Sequence, residues 1–141
     1  MIDLLGTSSI LIVCLIYILI ALRLPNIANI IIVALIARIL VLLISYSFSL
    51  PDTGADSNRF EVDAWSIVQH EYPNILFDIP VFNSKFYSFF ISIPYSLFGR
   101  SILMAKSMSL FFGMGLVILS WLIAKKLFNN LVAKKVGWIV A

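Results

Sequence analysis

Two long apolar runs, residues 10–22 and 27–50, limit what this chain can fold into more than any other feature. Extended back to Leu4, the first would be about 30 Å long as a helix, and the second about 36 Å, at 1.5 Å per residue. The hydrocarbon core of a bilayer is about 30 Å thick. Inside it every backbone N–H and C=O must be paired within the chain, and a single short chain achieves this only with helices. Composition agrees. Hydrophobic residues make up 62% of the 141 residues and charged residues 12%, against roughly half and a quarter in soluble domains. A soluble globular fold is excluded.

The spans follow from where the apolar runs stop. Asp3 is the only charge before the first run, and no Lys or Arg precedes it. A secretory signal peptide needs a basic start and a small-residue cleavage site, so the run reads as a transmembrane helix over about 4–23. Arg23 can snorkel to the interface, and Pro25 disfavours helix at Leu24. A second span covers 27–50 and ends at Pro51, with Arg38 near its middle. A guanidinium there is costly unless paired or wet, so Arg38 is expected to face other helices. A third, shorter run with Pro94 predicts a span over about 83–98, with Lys85 snorkelling. The fourth, about 102–127, carries Gly113 and Gly115, which permit close helix packing. Residues 131–141 open a partial fifth span that would need roughly ten more residues to cross. The expectation is an all-α integral membrane protein, one membrane domain over 1–141, continued in a longer product.

The net charge of +3 is small and its bases are scattered, so nothing resembles a nucleic-acid footprint. Cys14 is the only cysteine and His70 the only histidine. No intrachain disulfide and no Cys/His metal spacing can be built from them, and Cys14 reads as a small apolar side chain.

The polar segment 51–82 differs in kind. It holds Asp52, Asp56, Glu61, Asp63, Glu71 and Asp78 against one base, Arg59. Residues 56–69 predict a short amphipathic helix. At 100° per residue Asp56, Arg59, Asp63, Ser66 and His70 fall within about 80° of one another, beside an apolar stripe of Phe60, Ala64, Ile67 and Val68. Such a helix lies at the membrane surface with its apolar stripe down. Glu61, Asp63 and Glu71 read as solvated carboxylates, with Glu61→Gln expected to be nearly silent. Asp56 can cap the helix start.

The stretch Gly54-Ala55-Asp56-Ser57-Asn58-Arg59-Phe60-Glu61-Val62-Asp63-Ala64-Trp65 resembles the first large loop of some GT-C-type membrane glycosyltransferases, where it reads G-A-D-A-x-x-F/Y-x-x-x-A. Tyr95-Ser96-Leu97-Phe98-Gly99-Arg100-Ser101 resembles their Y-x-L-F-G-x-S helix end. Ala124-Lys125-Lys126-Leu127-Phe128 resembles their A-R-R-L-F-G segment. The resemblance covers roughly residues 50–141. It implies transfer of a sugar from a polyprenyl-phosphate donor to an acceptor at the outer membrane face. It makes Asp56 the base or a ligand of a divalent metal, with Arg59 or His70 near the donor phosphate. Two departures stand out: Ser57 follows Asp56 where many such enzymes pair Asp with Glu, and those enzymes have eight or more spans.

The expected location is the cell membrane, with the polar segment outside and membrane lipid, the remaining spans or a partner subunit as neighbours. Simple alternation of four spans then puts Lys125, Lys126, Lys134 and Lys135 outside too, against the positive-inside rule. Two other classes compete with the enzyme: a transporter or permease, with Arg38 and the loop acids along a path, and a small non-catalytic membrane subunit. Transport sites usually sit near the midplane at broken helices, whereas most polar residues here lie in one loop.

Overall fold

A computed structural model describes residues 3–48, 55–71 and 85–141, with the backbone alone at 55–57 and 71. Among these residues every element is helical: α1 (Leu4–Arg23), α2 (Ala28–Ser47), α3 (Ala55–Ser66) continued by a π-helical turn (Ile67–Glu71), α4 (Phe86–Phe98), α5 (Ile102–Leu127) and α6 (Asn130–Val140). Three of them, α1, α2 and α5, are long and apolar enough to cross a membrane. Their outward faces carry exposed Leu, Ile and Phe along their whole length, including Leu11, Ile36 and Leu119. That much apolar surface in water would drive association, whereas lipid is the solvent it suits.

Local chemistry sets the helix ends. The Asp3 carboxylate caps α1 by accepting from Gly6 N at 2.9 Å. Ser101 Oγ accepts from Met104 N at 3.0 Å to start α5, and Asn129 Oδ1 accepts from Leu131 N and Val132 N to start α6. Each supplies an acceptor to a helix N-terminus that has none of its own. Gly99 ends α4 at φ 89°, in the left-handed region that favours glycine. Hydroxyls inside the helices bond back to their own backbone: Ser92 donates to Phe89 O and Ser107 to Met104 O, both at 2.7 Å. This keeps a serine tolerable in an apolar medium.

Contacts fix the relative directions. Gly6 of α1 meets Leu103 at the start of α5, and Tyr17 OH donates to Phe111 O at 2.6 Å. Gly115 lies beside that phenol. Thus α1 and α5 run parallel. Lys106 of α5 reaches Ser45 near the end of α2, so α2 runs antiparallel to both. α6 folds back along α5 and against α2, where Gly137 touches Ile30. The buried core joins Tyr17, Ile31, Met114, Val117, Trp121 and Ala133.

Arg38 faces this bundle, as expected. Its Nη2 donates to Val140 O at 2.9 Å, and a Cβ on Gly113 would lie 2.8 Å from its Nη1. Glycine at 113 makes the space the guanidinium occupies.

The expected third span, over 83–98, is a shorter apolar helix where it is described. Residues 83 and 84 lie outside the described residues, and α4 has 13 residues, about 20 Å of helix. It pairs antiparallel with α5 from Tyr95 beside Ser101 to Tyr87 beside Ser109 and Phe112. Its start therefore lies roughly 10–15 Å along α5 from that helix's N-terminus.

Candidate functional site

Five described elements or their ends meet at one end of the bundle: the start of α1, the end of α2, α3, the α4–α5 turn and the start of α5. α3 sits there on an apolar stripe. Ala64 and Ile67 are fully buried. Phe60 packs edge-on against Tyr87 at 5.5 Å and Trp65 against Tyr95 at 6.2 Å. Phe89 and Phe90 close over Ile67. The helical reading of this segment, and the packing of Phe60, Ala64 and Ile67, agree with the periodicity.

Glu61 does not behave as a solvated acid. It is buried at 5% exposure. Its Oε1 accepts from Arg100 Nε at 2.7 Å and its Oε2 from Arg100 Nη2 at 2.8 Å. Two parallel N–H···O bonds to one carboxylate are the strongest geometry an ion pair can take. Tyr95 OH donates to Ser101 O at 2.8 Å and lies 3.2 Å from Glu61 Oε1. Ser101 Oγ in turn donates to Asp3 Oδ2 at 2.6 Å. One connected network thus pins α3, α4, α5 and α1 together. The carboxylate beside Arg100 raises the guanidinium's pKa above its ordinary value. The expectation that Glu61→Gln is silent is therefore corrected, because the change would break a bidentate pair made by a buried carboxylate.

The sequence held a signal for this. At 100° per residue Glu61 falls between Val68 and Trp65 on the buried side of the helix, not on the stripe of Asp56 and Arg59. An acid inside an apolar stripe needs a buried partner, and Arg100 is the base at the nearest helix end.

The predicted site residues are distributed as follows. Asp56 is the second residue of α3, and its side chain lies outside the described residues. Arg59 is exposed. His70 is exposed in the π turn, its Nδ1 3.2 Å from Ser66 O. From Ile67 onward the wider turn departs from the 100° step that grouped His70 with Asp56 and Arg59, so α-helical geometry does not hold that grouping. Among the described residues no three His, Cys, Asp or Glu side chains converge as metal ligands, and no metal-assisted step is derived from them.

A second polar group was not legible in the sequence. Lys106 Nζ donates to Ser45 Oγ at 2.8 Å, across from the Tyr87–Ser109 hydroxyl pair. Lys106, Tyr87 and Ser109 line a small cleft with Asn58 and Glu61 of α3. Comparison with protein-family models, curated proteins and solved structures finds no match to this chain.

Proposed function

We propose that the chain is a membrane-embedded portion of a glycosyltransferase that takes a sugar from a polyprenyl-phosphate donor, with α3 as the reaction-bearing helix at headgroup depth. The observation that supports this reading is the clasp of α3 by Glu61, Arg100 and Tyr95. It fixes the backbone of the Gly-Ala-Asp segment's helix against the bundle end, and a catalytic group must be held rigidly to act. Asp56 in the first turn would take the proton of the acceptor hydroxyl. The acceptor oxygen bonds to the sugar's anomeric carbon as the bond from that carbon to the phosphate oxygen breaks. Polyprenyl phosphate leaves with the electron pair. Arg59 and His70 stand as candidate contacts for that phosphate.

In this reading the chain crosses three times, through α1, α2 and α5, while α4 occupies one leaflet. Asp3, α3, Arg100 and Lys106 then share one membrane face. Arg23, Lys125, Lys126, Lys134 and Lys135 share the other, which carries no described acid. The positive-inside rule puts that basic face in the cytoplasm and α3 outside. The conflict met under four alternating spans disappears.

The test is sugar transfer from a polyprenyl-phosphate donor by the full gene product. General base catalysis is typically worth about 10²–10⁴ in rate, so Asp56→Asn is expected to lower turnover by that factor at normal abundance. Asp63→Asn, on a half-buried carboxylate of the same helix, replaces Glu61→Gln as the control. Wild-type turnover in Asp56→Asn, or equal losses in both variants, overturns the assignment.

A further inference from the structure

The charges at the α3 end of the bundle are not equally answered. Both oxygens of Glu61 are engaged by Arg100. Asp3 caps α1 and accepts from Ser101. Lys106 is different. It lies in the second turn of α5, half-buried, and its partners among the described residues are the hydroxyl and main-chain oxygens of Ser45, at 2.8 and 3.4 Å. Both are neutral acceptors. No carboxylate pairs with it among the described residues. An ammonium carried below the surface of an apolar bundle calls for an anion, because neutral oxygens solvate the charge without cancelling it.

The surroundings of Lys106 carry donors. Tyr87 OH and Ser109 Oγ are hydrogen-bonded to each other. The proton of whichever hydroxyl is the acceptor in that bond is free to be donated onward. Asn58 of α3 adds an amide at the rim of the same cleft. The Glu61 carboxylate lines the same cleft, but Arg100 engages both its oxygens. The lysine, the one hydroxyl proton left free and the amide are donors suited to a tetrahedral oxyanion. Position matters as well. Lys106 is about 6 Å along α5 from its start, at the end of the bundle where α3 packs.

We propose that Lys106, Tyr87, Ser109 and Asn58 form a binding site for a phosphate group, carried by an anionic lipid headgroup or free in solution. Lys106 supplies the charge, held in place through Ser45, and the hydroxyls and amide supply direction. The site does not depend on sugar transfer. It is read by binding, so its failure and that of the glycosyltransferase reading are separable.

The experiment uses the full gene product in detergent, stripped of lipid and titrated with phosphatidylglycerol, with bound lipid counted by native mass spectrometry. A parallel titration uses inorganic phosphate. Wild type is expected to bind one phosphatidylglycerol saturably. Lys106→Gln is expected to weaken it about tenfold, as for loss of a charge-assisted hydrogen bond. Lys106→Arg should retain most of the binding, and Tyr87→Phe with Ser109→Ala should weaken it less than Lys106→Gln does. Saturation by the lipid but not by inorganic phosphate assigns a headgroup. Equal, Lys106-dependent saturation by both assigns a phosphate from solution. Binding that is the same in Lys106→Gln, Lys106→Arg and wild type, with thermal stability unchanged, overturns the proposal.

Discussion

Arg100 and Arg38 are the same side chain solved in two ways. Arg100, at the α4–α5 turn, meets a carboxylate through two hydrogen bonds, and Tyr95 and Ser101 extend the contact into a network. Arg38, midway along α2, meets a single main-chain carbonyl on α6, and its Nε is buried with no acceptor among the described residues. The first arrangement adds a fixed register to elements that meet through Phe60, Ala64 and Trp65. α3 carries polar residues on most of its surface and stays on the bundle through one apolar stripe and one ion pair. The second joins α2 and α6, which already share one apolar core through Ile30, Ala34 and Ala133. A paired charge at the edge thus specifies position, while a lone charge at mid-depth is accommodated by packing around it, with Gly113 giving it room.

The comparison breaks first at Arg100. Removing one partner of a buried pair strands the other and typically costs 3–5 kcal/mol. Arg100 is 43% exposed, and water screens part of the loss, so Arg100→Ala is expected near the low end, about 3 kcal/mol. Unfolding of the purified protein in detergent measures it. Replacing both Glu61 and Arg100 with leucine should recover most of the loss, because no buried charge is then left alone. If Arg100→Ala is silent, the clasp does not hold α3.

Arg38 should show much less. Arg38→Met forfeits a hydrogen bond from a charged group, worth about 1.5–3 kcal/mol. It also removes a guanidinium that costs about 2.5–3.5 kcal/mol near the bilayer centre. The two nearly cancel, and the same unfolding assay should place Arg38→Met within about 1 kcal/mol of wild type. A loss as large as that of Arg100→Ala would mean that Arg38 answers an acid and not only Val140.

What the sequence made legible follows the same division. α1 and α5 begin and end where the apolar runs and their flanking Arg23, Pro25, Ser101 and Lys125 indicate, because a bilayer leaves the backbone one solution. The inward aim of Arg38 followed from the cost of the alternative. α3 was visible as a 3.6-residue period with Phe60, Ala64 and Ile67 on one face. The course of α4 was not visible. Its apolar run looks like a short span, and its pairing with α5 rests on Tyr87, Ser109, Tyr95 and Ser101, contacts between residues distant in sequence. The Glu61–Arg100 pair, 39 residues apart, was hidden for the same reason, although the helical phase of Glu61 marked it as buried. From sequence Lys106 is a base near the start of the fourth apolar run, and only the folded chain shows Ser45 beside it.

The shared membrane face of α3 and the α4–α5 turn is the claim on which the rest stands, and single-cysteine labelling tests it directly. In a Cys14→Ser background, Asn58→Cys, Phe98→Cys and Asn130→Cys are treated with a membrane-impermeant maleimide in sealed, uniformly oriented vesicles, and again after permeabilisation. Cysteines at 58 and 98 are expected to react from the same side, and the one at 130 only from the opposite side. Labelling of 58 and 98 from opposite sides would mean that α4 crosses the bilayer, and would contradict the account.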